Sequence, residues 1–179
     1  QLIITSIENV DANFVREEDF VQLTVEAVEG LNRELFDLLG QIADEEIKSL
    51  LAVFSSDDGL MANYQSAPAG IKNHHAYNGG LLSHVVSMMK IASFVGDHYD
   101  YVDKDLLMMG VFLHDIGKVR ELAYERELAY TDEGQMIGHV QIGVEILNDK
   151  VRELEASGKS ISSEKVQQLK HLILSHHGE

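Results

Sequence analysis

Histidines and one aspartate are the residues of this sequence whose types and spacing could do chemistry. Nine histidines occur in 179 residues, and most of them lie in or beside apolar segments. The clearest pattern is the segment 110–118 (GVFLHDIGK), where an apolar run leads into His114 and Asp115, and a glycine precedes Lys118. A carboxylate in apolar surroundings is costly unless it is paired, hydrogen-bonded or bound to a metal. Taken alone, this pair has another explanation, in which Asp115 is a capping residue and His114 is a histidine of the core.

Three further histidines share the register of predicted helices. His84 continues the apolar stripe of a helix predicted over about 81–97, and His139 borders that of a helix over about 134–154. His176 follows the stripe of the last predicted helix. Imidazole and carboxylate are ligands suited to Mn, Fe, Co, Ni or Zn. Because helices of a bundle can project ligands to one point, the sequence predicts a metal site.

Helical periodicity supplies the elements that must position these side chains. Apolar residues recur every three or four positions from Leu31 onward, which predicts an all-α architecture with a further helix over about 103–114. Gly117 is predicted to end that helix, and Gly143 to let a neighbouring backbone approach closely. Residues 118–133 lack a clear period and suggest a small hairpin.

Composition excludes several classes of protein. The absence of cysteine rules out disulfides and cysteine-based metal sites or catalysis. No apolar run is long enough to span a membrane and no secretory signal is present, so a cytoplasmic location without membrane association is expected. The formal net charge of −16 repels phosphate backbones. A polyanionic substrate therefore requires a local positive centre, either a metal or a few lysines.

The motifs together resemble the HD superfamily of metal-dependent phosphohydrolases, and more closely its YhaM-type 3′→5′ exoribonuclease family. The resemblance is carried by residues 67–88 (APAGIKNHHAYNGGLLSHVVSM), 110–122 (GVFLHDIGKVREL), 138–143 (GHVQIG) and 169–179 (LKHLILSHHGE). That family joins an N-terminal OB-fold, which binds nucleic acid, to an HD domain. The resemblance implies an HD-domain helical bundle over 31–179. Residues 1–30 would be the remnant of an OB-fold and a connector, with a short strand at residues 1–7.

The resemblance also implies the ligands of two divalent cations, in two groups that share Asp115. The implied ligands are His84, His114, Asp115, His139, His176 and His177. Mn²⁺ is the first choice, with Fe, Co, Ni or Zn as alternatives. The family's final ligand is an aspartate downstream of the His-His-Gly motif, so we expect the HD domain to continue beyond Glu179.

Three residues are expected to act on the substrate. Lys118 would place its ammonium on a phosphate oxygen. His74 or His75 would contact the phosphate, and His75 would donate a proton to the leaving oxygen. The alternative for both histidines is a structural role, in which they stiffen the loop before the metal-binding helix.

The sequence thus predicts a metal-dependent phosphodiester hydrolase, foremost a 3′→5′ exonuclease on RNA or single-stranded DNA. One alternative is an HD phosphohydrolase that acts on a small nucleotide, and another is a non-catalytic nucleotide- or RNA-binding HD module. The di-iron oxygenase branch of the superfamily is disfavoured by Lys118 and by the OB-fold remnant. The expected partner is single-stranded nucleic acid or a nucleotide, and the sequence is compatible with a homo-oligomer.

Overall fold

The computed structural model describes residues 23–71, 75–123 and 128–178 of the chain. Within these ranges the architecture is helical, as predicted, with one two-stranded sheet. The strand predicted at residues 1–7, and with it the OB-fold remnant, lies outside the described residues, as does His74. No helix in the described ranges combines the length and the hydrophobicity that crossing a membrane requires.

The elements follow one another with short connections. The helices are α1 (Val25–Leu39), α2 (Glu45–Ser55), α3 (Asp58–Ser66), α4 (Gly80–His98), α5 (Lys104–Leu113), α6 (Lys118–Glu121), α7 (Asp132–Met136), α8 (His139–Ala156) and α9 (Ser163–Ser175). Strands β1 (Leu122–Ala123) and β2 (Ala129–Tyr130) pair antiparallel between α6 and α7. This pair is the small hairpin predicted within residues 118–133.

Acidic side chains fix the starts of three helices. Asp44, Asp57 and Asp103 precede α2, α3 and α5, and each carboxylate accepts a hydrogen bond from backbone N–H groups of the first turn. Such caps satisfy N–H groups that lack a helical partner, and their charge suits the positive end of the helix dipole. Part of the acidic excess is therefore used to define helix boundaries.

The first helix begins earlier than its leucine spacing predicts. Helix α1 starts at Val25, where the hydroxyl of Thr24 caps it by accepting a hydrogen bond from the N–H of Ala27. Residues 25–30 are therefore helical and not part of an irregular connector. Since α1 packs against α4, the helix that carries His84, it belongs to the bundle that holds the site.

The single helix predicted over about 134–154 is in fact two helices. Helix α7 ends at Met136 and α8 begins at His139, with Gly138 between them at φ 79° and ψ 152°. That conformation lies outside the helical region and is readily adopted only by glycine. Ile137, next to the break, is 46 % exposed. The interruption makes His139 the first residue of a helix.

The hydrophobic core fixes the end of α5. Helix α5 packs between α4 and α9, and the Phe112 ring contacts those of Phe54 and Tyr64, with centroids 5.8 and 5.1 Å away. The Tyr64 hydroxyl donates to the Phe112 carbonyl at 2.8 Å. Carbonyl groups in the last turn of a helix lack helical partners, so this buried bond satisfies one of them. His114 and Asp115 follow directly.

Gly117 permits the start of α8 to lie against the turn after α5. A Cβ at Gly117 would lie 1.9 Å from the carbonyl oxygen of His139. Helix α5 ends at Leu113, and Gly117 has ordinary right-handed angles, so it is not the helix terminator predicted from the sequence. A Cβ on Gly143, the glycine predicted to allow close approach, would lie 3.4 Å from a methyl group of Ile173. The close approach depends on Gly117.

Candidate metal centre

Asp115 lies at the centre of the histidine cluster and is 3 % exposed. Its Oδ2 lies 3.2 Å from Nε2 of His114 and 3.7 Å from Nε2 of His84. Its Oδ1 lies 3.4 Å from Nε2 of His139 and 3.5 Å from Nε2 of His176. The two oxygens of one carboxylate therefore face two different pairs of histidines.

The ligand atoms form two groups that share Asp115, and the atoms of each group lie within 4.8 Å of one another. The first group is His84, His114 and Asp115, and the second is Asp115, His139, His176 and His177. Nε2 of His84 lies 3.2 Å from Nε2 of His114, and Nε2 of His139 lies 2.9 Å from Nε2 of His177. The structure thus brings together the six side chains that the sequence nominates as ligands.

Two buried polar atoms within this cluster have no hydrogen-bond partner among the described residues. They are Oδ1 of Asp115 and Nε2 of His176. An unsatisfied buried polar group costs about 1–3 kcal/mol. A cation between the two atoms would satisfy both, and imidazole with carboxylate is a donor set suited to first-row divalent metals. The side chains present therefore fit a divalent metal ion.

Hydrogen bonds and the charge of Lys118 keep Asp115 ionised. Burial acts to raise the pKa of this carboxyl, but the adjacent His114, His176 and Lys118 hold it well below its usual range. The ammonium of Lys118 donates to Oδ2 of Asp115 at 2.8 Å. The same carboxylate raises the pKa of His176, whereas burial lowers that of His84. Metal binding requires an ionised carboxylate, and Asp115 meets that condition.

Backbone carbonyls orient two of the imidazole rings. Nδ1 of His114 lies 2.7 Å from the carbonyl oxygen of Val111, and Nδ1 of His176 lies 2.7 Å from that of Ile173. A carbonyl only accepts, so Nδ1 carries the hydrogen in each ring and the Nε2 of the neutral form keeps its lone pair. In both histidines Nε2 is the atom beside Asp115.

The third ring is oriented by Glu121, a buried carboxylate that the sequence analysis did not single out. Its Oε1 accepts from Nδ1 of His139 at 2.9 Å and from the backbone N–H of His139 at 3.0 Å. Burial acts to raise the pKa of Glu121, but these hydrogen bonds lower it. A carboxylate behind a ligand histidine fixes the ring orientation and raises its basicity. In the sequence only the adjacent apolar Leu122 hints at burial, and this does not distinguish Glu121 from a surface glutamate.

Lys118 and His75 line the same cleft as the cluster. Besides Asp115, the Lys118 ammonium donates to the carbonyl oxygen of Ala69 at 2.7 Å. The His75 ring centroid lies 5.6 Å from that of His84. The backbone of His75 has φ 60°, in the left-handed region that non-glycine residues seldom adopt. Its carbonyl accepts from the N–H of Ala69 at 3.0 Å, which anchors this turn beside the cluster.

A cleft of about 510 Å³ opens onto the group of six candidate ligands, which we call the metal-ligand cluster (His84, His114, Asp115, His139, His176 and His177). Its polar lining is formed by Asp115, Lys118 and five histidines, and the rest of its lining is apolar. The apolar lining consists of Ala69, Met88, Leu107, Gly110, Val111 and Leu172. Clefts of this size bind small molecules or parts of larger ones. Met88 lines the cleft and is 39 % exposed.

Curated proteins similar to this chain are named 3′-5′ exoribonucleases. The 3′-5′ exoribonuclease YhaM of Bacillus subtilis is 47 % identical to this chain, over 66 % of this chain and 36 % of that protein. The YhaM proteins of Shouchella clausii and Bacillus pumilus are 38 % and 35 % identical over the whole chain, which spans 54 % and 55 % of their lengths. The chain therefore spans about half the length of these relatives, or less.

Structure searches and family models complete the comparison. No solved structure matches the chain. The HD domain model matches residues 81–179, more than half of the chain, and this range contains all six side chains of the cluster. The chain therefore belongs to the HD-domain family.

Proposed function

We propose that this chain is the HD part of a metal-dependent phosphodiester hydrolase that removes nucleotides from the 3′ end of RNA or single-stranded DNA. The observation that carries the proposal is the position of Asp115, whose two oxygens face separate histidine pairs. That is the arrangement expected of a carboxylate between two cations. The relatives are named 3′-5′ exoribonucleases, which favours a polynucleotide end over a free nucleotide as the substrate.

The two groups of ligand atoms are proposed to hold one cation each, with Mn²⁺ the expected ion. One cation would be held by His84, His114 and Asp115, and the other by Asp115, His139, His176 and His177. When bound, two such cations lower the pKa of a bound water and hold a phosphodiester for in-line displacement. They would also supply the positive centre that a chain with a formal net charge of −16 needs for a polyanion.

Residues beside the ligands are proposed to handle the substrate. Lys118 holds its ammonium at the cleft through Asp115 and Ala69, and we assign it to a phosphate oxygen. His75 lines the cleft next to His84, and we assign it to protonation of the leaving oxygen. His74, outside the described residues, stays a predicted substrate contact. The cytoplasmic location and the homo-oligomer also stay predictions.

The test compares Asp115→Asn with a matched control, Asp103→Asn. Both aspartates flank α5, but Asp103 only caps its start, a task that asparagine performs equally well. Bound Mn²⁺ per chain, far-ultraviolet circular dichroism and hydrolysis of a 5′-labelled oligonucleotide would be measured. An amide oxygen is a poor ligand for a divalent cation. Asp115→Asn should therefore lose at least one ion and all hydrolysis while staying helical, and Asp103→Asn should keep both ions.

Three results would contradict the proposal in distinct ways. Unchanged metal content and hydrolysis in Asp115→Asn would refute the bridging role. Cleavage of free nucleotides without cleavage of the oligonucleotide would favour a small-nucleotide phosphohydrolase. A metal-loaded protein that binds nucleotides but cleaves none would be a binding module.

A further inference from the structure

The apolar side of the cleft is built from the same helices as the metal-ligand cluster. Met88 lies on α4 four residues after His84, and Leu172 lies on α9 four residues before His176. Residues three or four apart on a helix share a face, with Cβ atoms about 5–6 Å apart. Each of these ligand histidines thus has an apolar neighbour one helical turn away, and both neighbours line the cleft.

Helix α5 contributes the middle of this surface, which we call the apolar wall (Met88, Leu107, Val111 and Leu172). Leu107 and Val111 lie on α5, with Val111 three residues before His114. Leu172 is held against α5 because Gly110 has no side chain, and a Cβ there would lie 2.4 Å from Cδ1 of Leu172. The wall therefore spans three helices, of which α5 packs against both α4 and α9.

The wall differs from core because its side chains stay partly open to the cleft. Leu107, Val111 and Leu172 are half-buried, and Met88 is exposed. A bare hydrophobic surface beside a polar cluster is typical of a site that takes an amphipathic small group. A nucleotide has this character, because a charged phosphate and a flat base are joined through a sugar.

We propose that the apolar wall seats the base and ribose of the nucleotide whose phosphate lies at the metal-ligand cluster, and that it does so for any base. The proposal rests on the proposed function and deepens it by naming what lies beside the cleaved bond. The four side chains of the wall offer no strong hydrogen-bond donor or acceptor to a base edge. Contact with the face of a base is tolerant of sequence, since every base has such a face.

The experiment measures binding of AMP, CMP, GMP, UMP and inorganic phosphate to the Mn²⁺-loaded chain by calorimetry. The variants are Met88→Ala and Leu172→Ala, and the matched control is Leu174→Ala. Leu174 lies on α9 two residues from Leu172, but it is 54 % exposed and does not line the cleft. Bound Mn²⁺ and circular dichroism are recorded for each variant, and Met88→Ala removes an exposed side chain, so it tests the wall even if Leu172→Ala folds poorly.

Wild type should bind each nucleotide more tightly than phosphate, with similar affinities for the four bases. Met88→Ala and Leu172→Ala should each weaken nucleotide binding about tenfold, the usual cost of lost apolar contact in a pocket. Their affinity for phosphate and their Mn²⁺ content should not change, because the cluster is intact. Leu174→Ala should match wild type in every measurement.

Several results would overturn the inference. Equal affinity of wild type for AMP and phosphate would show that the wall does not bind the base and ribose. A preference for one base beyond about tenfold would show that binding depends on the base. A change in oligomeric state in Leu172→Ala, without a change in AMP affinity, would assign the wall to contact between copies. Hydrolysis of an oligonucleotide is scored separately. If the protein hydrolyses the oligonucleotide but binds nucleotides no more tightly than phosphate, only the role of the wall is refuted. If it binds nucleotides more tightly than phosphate but hydrolyses no oligonucleotide, only the proposed function is refuted.

Discussion

The two histidine pairs on either side of Asp115 are built differently. On one side, His139 is backed by the buried carboxylate of Glu121, which accepts from both its ring and its backbone N–H. On the other side, His84 has no carboxylate behind it among the described residues. It lies instead beside His75 and the open cleft.

The difference separates two tasks within one cluster. A carboxylate behind an imidazole adds negative charge and fixes the ring, which strengthens the hold on a cation. A ring that faces a cleft leaves room for another molecule next to the ligand atoms. We therefore expect the His139 side to hold its cation more tightly, and the His84 side to be the one that meets the substrate.

Loss of a proposed ligand on the His139 side should have the largest effect on metal content and hydrolysis. His139→Ala should remove one cation per chain and abolish hydrolysis, since His139 provides both Nε2 beside Asp115 and the contact with Glu121. Metal analysis and oligonucleotide cleavage would measure this. His171→Ala is the control, because His171 is exposed on α9 outside the metal-ligand cluster. Equal metal content in His139→Ala and wild type would remove His139 from the ligands.

Glu121→Gln should weaken cation binding on the His139 side and so reduce the difference in affinity between the two sides, while every proposed ligand stays in place. Glutamine can still accept from His139, but it carries no charge. Loss of an outer-shell partner typically weakens metal affinity about 10–100-fold. Competition with a chelator would measure the affinity. The control is Glu145→Gln, which changes a half-exposed carboxylate on α8 near Arg120. If both variants bound metal like wild type, the charge of Glu121 would have no part in metal binding.

Alanine substitutions at two glycines near the junction of α5 and α8 should change the free energy of unfolding of the metal-free chain in opposite directions. Gly117→Ala forces a methyl group against the His139 carbonyl and should lower the free energy of unfolding by about 1–3 kcal/mol, as overpacking does. Gly143→Ala places a methyl in ordinary contact inside a helix, where alanine is favoured over glycine by about 0.5–1 kcal/mol. Urea unfolding would measure both. A stable Gly117→Ala variant would show that α8 can move away.

A carboxylate remote from the cluster should have the smallest effect and a different pH dependence. Asp57 caps α3 and accepts from Lys150 at 2.7 Å. The hydrogen bond from Lys150, followed by that from Leu60, lowers the pKa of Asp57. Its ionised form therefore stabilises the fold above the ordinary aspartate pKa of about 3.9, and this contribution disappears as the pH falls through the lower folded-state value.

Asp57→Asn keeps the cap and removes the charge. Because Asp57 is partly exposed, the loss at neutral pH should be at most about 1 kcal/mol. Urea unfolding at neutral pH and near pH 3 would compare the variant with wild type, and the difference should shrink at the lower pH. A difference that persisted in acid would assign the effect to packing or to the cap.

The sequence indicates which side chains meet in the cluster more clearly than it indicates the elements that present them. His84, His114 and His139 were nominated because helical periodicity places them on or beside apolar faces, and periodicity is a local property. The break at Gly138 was missed because glycine is tolerated within helices, so its φ of 79° depends on packing. Glu121 was missed for a related reason. A glutamate in a charged turn resembles a surface residue until α8 is folded against it.

The origin of the ligands on distant parts of the chain has a thermodynamic consequence. His84 comes from α4, Asp115 from the turn after α5, His139 from α8 and His176 from the end of α9. An unfolded chain cannot gather these groups, so a cation held by them would bind only the folded bundle, and its binding free energy would add to that of folding. At a free cation concentration of about one hundred times Kd, this linkage contributes about 2.7 kcal/mol per site. The melting temperature of the whole bundle, including helices that touch no ligand, would then rise and fall with the concentration of free metal.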